Sequence, residues 1–280
     1  MTTAAAPAPV PVDDAVLRQV AAGLYHDPHA VLGAHPGAGG VTIRVLRPQA
    51  DRVVIVTADG ETVATHEQDG IWVAVLDRTD VPSYRVSVTY SSQTTLSDDP
   101  YRYLPTLGEL DQHLLREGRH EELWTVLGAN VHHYSDPLGD VVGTSFAVWA
   151  PTARAVRVVG DFSYWQGQQY AMCSLGDCGV WELFVPGVGP GALYKFEIVG
   201  QDGVWRQKAD PVAKATEEPP ATASVVVEST FEWHDEDWLS ARAAKDPHDG
   251  PLSIYEVHLG SWRWGLDYRG LASRLTEYVV

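Results

Sequence analysis

A duplicated pattern constrains this 280-residue chain more than any other feature. The first copy opens with Val31-Leu32-Gly33-Ala34-His35 and the second with Val126-Leu127-Gly128-Ala129-Asn130. Each copy then runs through an apolar strand that closes on a proline, 41–48 (VTIRVLRP) and 144–151 (TSFAVWAP). A valine-rich stretch follows, 52–56 and 155–159, and after it a Gly-apolar-Trp motif, Gly70-Ile71-Trp72 and Gly179-Val180-Trp181. Tyr84-Arg85-Val86 then answers to Tyr194-Lys195-Phe196, and Asp99-Pro100 to Asp210-Pro211. One module has been copied, and two copies are too few for a solenoid.

The segments inside each copy are short, rich in β-branched residues and separated by turn residues. Strands are expected at 181–185 and 194–198, on either side of the Gly/Pro turn 186–191. Strands repeating at this spacing, with scarcely any helical periodicity, predict an antiparallel sandwich for each copy. A short helix is expected before each. One runs over 13–23 with Asp13 or Asp14 as its cap, and the other over 107–127 with a break near Gly118.

The formal net charge is −17. Such a surface repels phosphate backbones and anionic headgroups, so nucleic-acid and membrane-surface partners are not expected. A neutral, hydroxyl-rich ligand is compatible with it. No apolar run approaches the ~18 residues of a membrane-spanning helix. Residues 1–12 (MTTAAAPAPVPV) have no basic start and no long apolar stretch, so they read as a disordered Ala/Pro tail rather than a secretory signal. Cys173 and Cys178 are the only cysteines. Their spacing fits no zinc knuckle, so both are expected to be reduced thiols of a cytoplasmic protein. His26, His29 and His35 cluster in one loop, and His132 and His133 in the matching loop of the second copy. None has a helical i,i+4 partner, so no metal and no cofactor is expected. There is neither a phosphate-cradling glycine loop nor a nucleophile elbow.

Composition changes beyond residue 230. The stretch 231–238 (FEWHDEDW) is acidic and aromatic, and 245–251 (KDPHDGP) is a linker. Then 252–259 (LSIYEVHL) forms a near-continuous apolar run, the pattern of a parallel strand buried on both faces, which would place His258 inside it. The stretch 271–279 follows at helical spacing.

Several of these stretches together resemble bacterial glycogen (1,4-α-glucan) branching enzymes of the actinobacterial type. Tyr255-Glu256-Val257-His258-Leu259-Gly260-Ser261-Trp262-Arg263 is similar to the first barrel strand of that family, a branch of the α-amylase superfamily (glycoside hydrolase family 13). Residues 27–35 (DPHAVLGAH) resemble its extra N-terminal module. Residues 179–198 and Lys208-Ala209-Asp210-Pro211 resemble its family 48 carbohydrate-binding module. Cys173 and Cys178 depart from the pattern, since relatives carry Arg and Ser there. The resemblance implies a mostly β chain: two tandem immunoglobulin-like sandwiches and the first strand-helix unit of a truncated (β/α)8 barrel. Its divisions would be a disordered tail (1–14), a first sandwich (15–106), a carbohydrate-binding sandwich (107–228), a bridge (229–250) and the start of the barrel (251–280).

The resemblance also implies an activity, namely cutting an α-1,4 glucan and reattaching the segment as an α-1,6 branch by a retaining mechanism. The carboxylates of that chemistry belong to later barrel strands, so no catalytic residue is expected in 1–280 and the chain alone is expected to be inactive. The alternative is a stand-alone, non-catalytic α-glucan-binding protein. The expected partner is an α-glucan (glycogen or maltooligosaccharides), held by a monomer. A glucan offers flat apolar ring faces edged by hydroxyls, so its binder needs exposed aromatic plates beside a few polar groups. Trp165 in the turn 160–165 (GDFSYW) and Trp205 in the turn 202–205 fit that need, and the resemblance adds Lys195. Trp262 and Trp264 are expected near the active face of the barrel. Trp72, Trp149 and Trp181 are expected in the cores, and Trp233 and Trp238 are expected to dock the bridge against a module.

Overall fold

The computed structural model describes residues 8–246 and 248–280. They form two compact units, one ending at Ser229 and one running over 230–280.

In the first unit, helix α1 (Asp14–Ala21) starts where expected. The Asp13 side chain caps it by accepting from the Ala15 N–H at 2.7 Å. Leu17 and Val20 are its buried face, and Gly23 with φ +62° ends it. Eight strands follow: β1 (Gly33–Gly37), β2 (Gly40–Leu46), β3 (Arg52–Thr57), β4 (Gly60–Val63), β5 (Thr65–Gln68), β6 (Ile71–Leu76), β7 (Tyr84–Tyr90) and β8 (Gln93–Ser97). They make two antiparallel sheets, ordered β1-β2-β6-β5 and β4-β3-β7-β8. Val41, Ile43 and Val45 of β2 meet Val53 and Ile55 of β3 and Tyr84, Val86 and Val88 of β7 in one apolar cluster, so the two sheets are the layers of a sandwich.

The outer face of β2 is buried as well. Arg44 makes a two-pronged ion pair with Glu67, at 2.7 and 2.9 Å, and donates to the Val10 carbonyl at 2.7 Å. The Val10 N–H in turn donates to Thr42 at 2.9 Å. The tail expectation therefore fails over 8–14: this stretch is tied to β2 and then opens α1, because it satisfies polar groups that β2 would otherwise bury unpaired. Residues 1–7 of the expected tail lie outside the described residues.

A connecting segment carries helix α2 (Glu109–Arg116), Gly118 at φ +64° and a 3-10 turn at Leu123–Thr125, which is the expected helix and its break. The second copy then supplies β9 (Gly128–Tyr134), β10 (Val141–Trp149), β11 (Ala155–Gly160), β12 (Cys173–Ser174), β13 (Val180–Pro186), β14 (Leu193–Val199), β15 (Trp205–Lys208), β16 (Ala215–Thr216) and β17 (Ser224–Val225). One sheet runs β12-β13-β10-β9; the other runs β11-β14-β17-β16, with β15 on the far part of β14. Phe146, Val148, Leu183 and Val185 of the first sheet pack with Val156, Val158, Tyr194 and Phe196 of the second. Leu17 and Val20 of α1, Leu46, Ile71 and Tyr101 join that same cluster, so α1 and one end of the first sandwich are built into the core of the second. Burying a side chain such as Leu17 contributes about 1.5–3 kcal/mol.

The repeat seen in the sequence is repeated in the hydrogen bonds. The indole of Trp72 donates to the Arg47 carbonyl at 3.2 Å, and that of Trp181 to the Ala150 carbonyl at 3.1 Å. Tyr84 donates to Asp99 at 2.7 Å, and Tyr194 to Asp210 at 2.5 Å. His35 reaches the Leu32 carbonyl and Asn130 the Leu127 carbonyl, each at 3.1 Å. Gly33 and Gly128 hold φ +87° and +83° at the same place in each copy.

The second unit is helical. It holds α3 (Glu236–Ala243), α4 (Leu259–Trp262) and α5 (Tyr268–Val279), whose cap Asp267 accepts from the Gly270 N–H at 2.7 Å. The helix expected over 271–279 lies within α5. The strand expected over 252–259 does not form, and Leu252 and Ile254 are 77% and 81% exposed. A parallel strand exists only through hydrogen bonds to neighbours, and no described strand pairs with this run. The run adds no strand to either sandwich. His258 is accordingly exposed rather than buried, with Nδ1 2.8 Å from the Ser261 hydroxyl. Trp233 and Trp238 are also exposed, at 71% and 59%.

Candidate functional site

The sheet β11-β14-β15 turns one face to the core and one outward. Tyr194 and Phe196 point inward, so Lys195 and Glu197 point outward together with the residues paired to them. Those partners are Arg157 and Gln207, both opposite Glu197, while Trp205 stands opposite Val199. Lys195 and Trp205 therefore share one face, roughly 13 Å apart along the strand at ~3.3 Å per residue.

The loop between β11 and β12 crosses this face and carries Trp165. Tyr164 and Trp165 take φ +51° and +60°, consecutive left-handed residues that cost energy outside glycine. The Trp165 N–H donates to the Gly160 carbonyl at 2.8 Å, which holds the turn closed. Tyr164 projects with 89% of its surface exposed, and Trp165 keeps 36%. The Lys195 ammonium lies 5.9 Å from the centre of the Trp165 ring and donates to Thr222 at 2.8 Å. Two of the three expected sugar-binding residues are thus brought together.

Trp205 is placed differently. It opens strand β15 instead of lying in a turn, and the Arg157 guanidinium covers one ring face at 3.7 Å. Arg157 also donates to the Ala22 carbonyl, and to the Gly23 carbonyl at 3.2 Å. One face of the Trp205 plate is therefore committed to the joint with α1. Beside Tyr164, a cleft of about 470 Å³ opens between the two sandwiches, lined by Arg47, Tyr90, Asp98, Gln166, Gln169 and Tyr170. This mixture of aromatic edges and amides was not singled out from sequence, because its residues come from both copies.

Trp181 is buried as expected and Trp72 is partly buried, but Trp149 is 60% exposed. Strand parity explains it: Phe146 and Val148 face the core, so Trp149 faces away. It edges an apolar hollow of about 380 Å³ that includes Leu115, Leu123, Leu127 and Val212. Trp262 donates to the Tyr255 hydroxyl at 2.9 Å, and Trp264 is 87% exposed.

Glu182, on β13, is wholly buried. It accepts from the Thr106 N–H at 2.6 Å, from the Thr106 hydroxyl and from the Leu107 N–H at 3.1 Å, pinning the connecting segment to the second sandwich. Burial raises its carboxyl above the ordinary value, partly offset by these bonds. Cys173 and Cys178 are free and buried, and burial with the nearby Asp27 carboxylate pushes the Cys173 thiol up to about 12. Burial lowers the pKa of His29.

Among the described residues, no helix is long and apolar enough to cross a membrane. The described residues of the first unit form two tandem β-sandwiches, and the second turns an aromatic face outward. Residues 13–101 match the N-terminal domain of the alpha-1,4-glucan branching enzyme GlgB, and residues 126–213 match carbohydrate-binding module 48 (isoamylase N-terminal domain). Two consecutive stretches of the chain are thus similar, in order, to the N-terminal domain of that enzyme and to a family 48 module. It is 56% identical over 274 residues to the 1,4-alpha-glucan branching enzyme GlgB of Thermobifida fusca (strain YX), covering 96% of this chain and 37% of that protein. To the enzyme of the same name from Rhodococcus jostii (strain RHA1) it is 51% identical, covering 98% of this chain and 38% of that one. The chain therefore spans little more than a third of the length of these relatives.

Proposed function

We propose that this chain is the glucan-holding front of a 1,4-α-glucan branching enzyme, a cytoplasmic monomer whose whole form cuts α-1,4 glucan and transfers the freed segment to a 6-hydroxyl. The observation that carries the reading is the match of residues 13–101 to the branching-enzyme N-terminal domain, followed by the match of residues 126–213 to carbohydrate-binding module 48, on whose outer face Trp165 and Lys195 are paired. Trp165 supplies a flat apolar surface for a pyranose ring, Lys195 supplies hydroxyl contacts beside it, and the open face of Trp205 extends the platform. A longer glucan has room to continue past Tyr164 into the cleft between the sandwiches.

In this reading the chain divides as 15–106, 107–228, a bridge at 229–250 and the start of the (β/α)8 barrel at 251–280. The run 252–259 becomes a strand only when flanked by other barrel strands, and Trp262 and Trp264 then stand near the active face. Branching by a retaining route uses one carboxylate to attack the anomeric carbon and another to protonate the leaving oxygen. A sugar hydroxyl must then reach the glycosyl-enzyme before water does. No residue of 1–280 is assigned either carboxylate role.

The test is an amylose–iodine assay of the chain alone, alongside a calorimetric titration with maltoheptaose. Weak binding with unchanged iodine absorbance is expected. Branching by the isolated chain would contradict this division of labour, and absence of any binding would remove the glucan-holding role.

A further inference from the structure

The fold brings together three metal-binding side chains that stand far apart in the sequence. Cys173, on β12, donates its S–H to Asp27 at 3.5 Å across 146 residues of chain. His29 sits two residues beyond Asp27, in the 3-10 turn Pro28–Ala30. Ligand atoms of Asp27, His29 and Cys173 all lie within 4.8 Å of one another. A tetrahedral zinc ion with bonds of ~2.0–2.3 Å keeps its ligands roughly 3.5 Å apart, so only a small inward movement separates this arrangement from a coordination shell.

A second observation, independent of the clustering, points the same way. The His29 Nε2–H donates to the Tyr103 carbonyl at 3.0 Å, which leaves the lone pair on Nδ1. That Nδ1 is buried and has no hydrogen-bond partner among the described residues. A buried acceptor left unpaired costs about 1–3 kcal/mol. Histidines that ligate metals characteristically donate their other ring N–H to a carbonyl or carboxylate, and His29 is already held that way. The surroundings are rigid, since the Ser174 N–H donates to the His26 carbonyl at 2.8 Å and Cys173 is paired with Glu182 on β13.

We propose that Asp27, His29 and Cys173 form a zinc-class divalent-cation site that clips the first sandwich to the second. A thiolate, an imidazole and a carboxylate select zinc over magnesium or calcium, which prefer all-oxygen shells. On binding, the Cys173 S–H bond breaks, the sulfur forms the metal bond and one proton passes to solvent, with no change in oxidation state. The thiolate and the carboxylate together balance the two charges of the ion, and water completes the fourth position. Cys178 takes no part, because its thiol donates to the Leu175 carbonyl at 3.4 Å.

The test uses the reduced, tag-free full chain after chelator treatment, titrated with zinc chloride against a chromophoric competitor and separately with cobalt chloride. One equivalent should bind, and cobalt should show a thiolate charge-transfer band with tetrahedral d–d absorption. Cys173→Ser and His29→Gln should each weaken binding at least roughly tenfold, while Cys178→Ser leaves it unchanged. A second check uses the Cys178→Ser background, in which the cobalt–thiolate band can come only from Cys173 and should be retained at full intensity. No cobalt–thiolate band, its loss in Cys178→Ser, or an affinity indifferent to Cys173→Ser would each overturn the proposal.

Discussion

In the first sandwich the residue after the Gly-apolar-Trp motif, within β6, is Val73; in the second the same position, within β13, is Glu182, buried and holding the connecting segment by three hydrogen bonds. Arg85 and Lys195 are likewise equivalent. Arg85 is paired with Asp98 at 3.5 Å, whereas Lys195 sits beside an exposed indole. The first copy closes β3 on β4 by a tight turn between Thr57 and Gly60, while the second replaces that turn with the long loop carrying Trp165. The shared Tyr–Asp, Trp–carbonyl and Gly bonds are therefore the module's skeleton. The proposed sugar face lies where the copies diverge, at Lys195 and the loop carrying Trp165.

The comparison can be broken most forcefully at Glu182. Glu182→Ala strands two backbone N–H groups and should lower the unfolding free energy by about 3 kcal/mol, read from urea melts. Its folded pKa is raised, so its electrostatic contribution is fullest below the ordinary carboxyl value of 4.5 and falls as pH climbs through the folded value. Glu182→Gln should lack that slope.

Next come the two glycines. A β-carbon at Gly33 would stand 2.4 Å from the Tyr101 backbone oxygen, whereas at Gly128 it would stand 3.1 Å from the Asp210 side chain. Both sites demand a left-handed backbone, but Gly33→Ala should cost about 1 kcal/mol more than Gly128→Ala in the same melts, because backbone yields less than a carboxylate. The smallest difference between the copies is expected for Tyr84→Phe and Tyr194→Phe. If the skeleton is shared, each should cost about 1–2 kcal/mol, and to a similar extent. A loss confined to one copy would show that the matching bonds do not do matching work.

The duplication was legible because it sets turn residues, prolines and tryptophans in one order, and both caps and breaks of the helices follow from local chemistry at Asp13 and Gly118. Three features were not. Trp149 lies one position out of phase with the core, and a single step in a strand exchanges the two faces. The run 252–259 is apolar enough for a buried strand, but strand formation is a property of its neighbours. Asp27, His29 and Cys173 have no motif spacing, since the fold of both sandwiches is what brings them together. At the proposed sugar face, Trp165 was singled out from its turn and Lys195 through the resemblance, but the Arg157 cover on Trp205 was not legible, because it depends on the carbonyls ending α1.

In the proposed function the outer face of the second sandwich, built on Trp165, holds α-glucan. Electrophoresis of the full chain through native gels containing glycogen addresses it directly. The chain should be retarded, and Trp165→Ala should restore free mobility with an unchanged urea midpoint. Equal retardation of the two proteins would contradict the account.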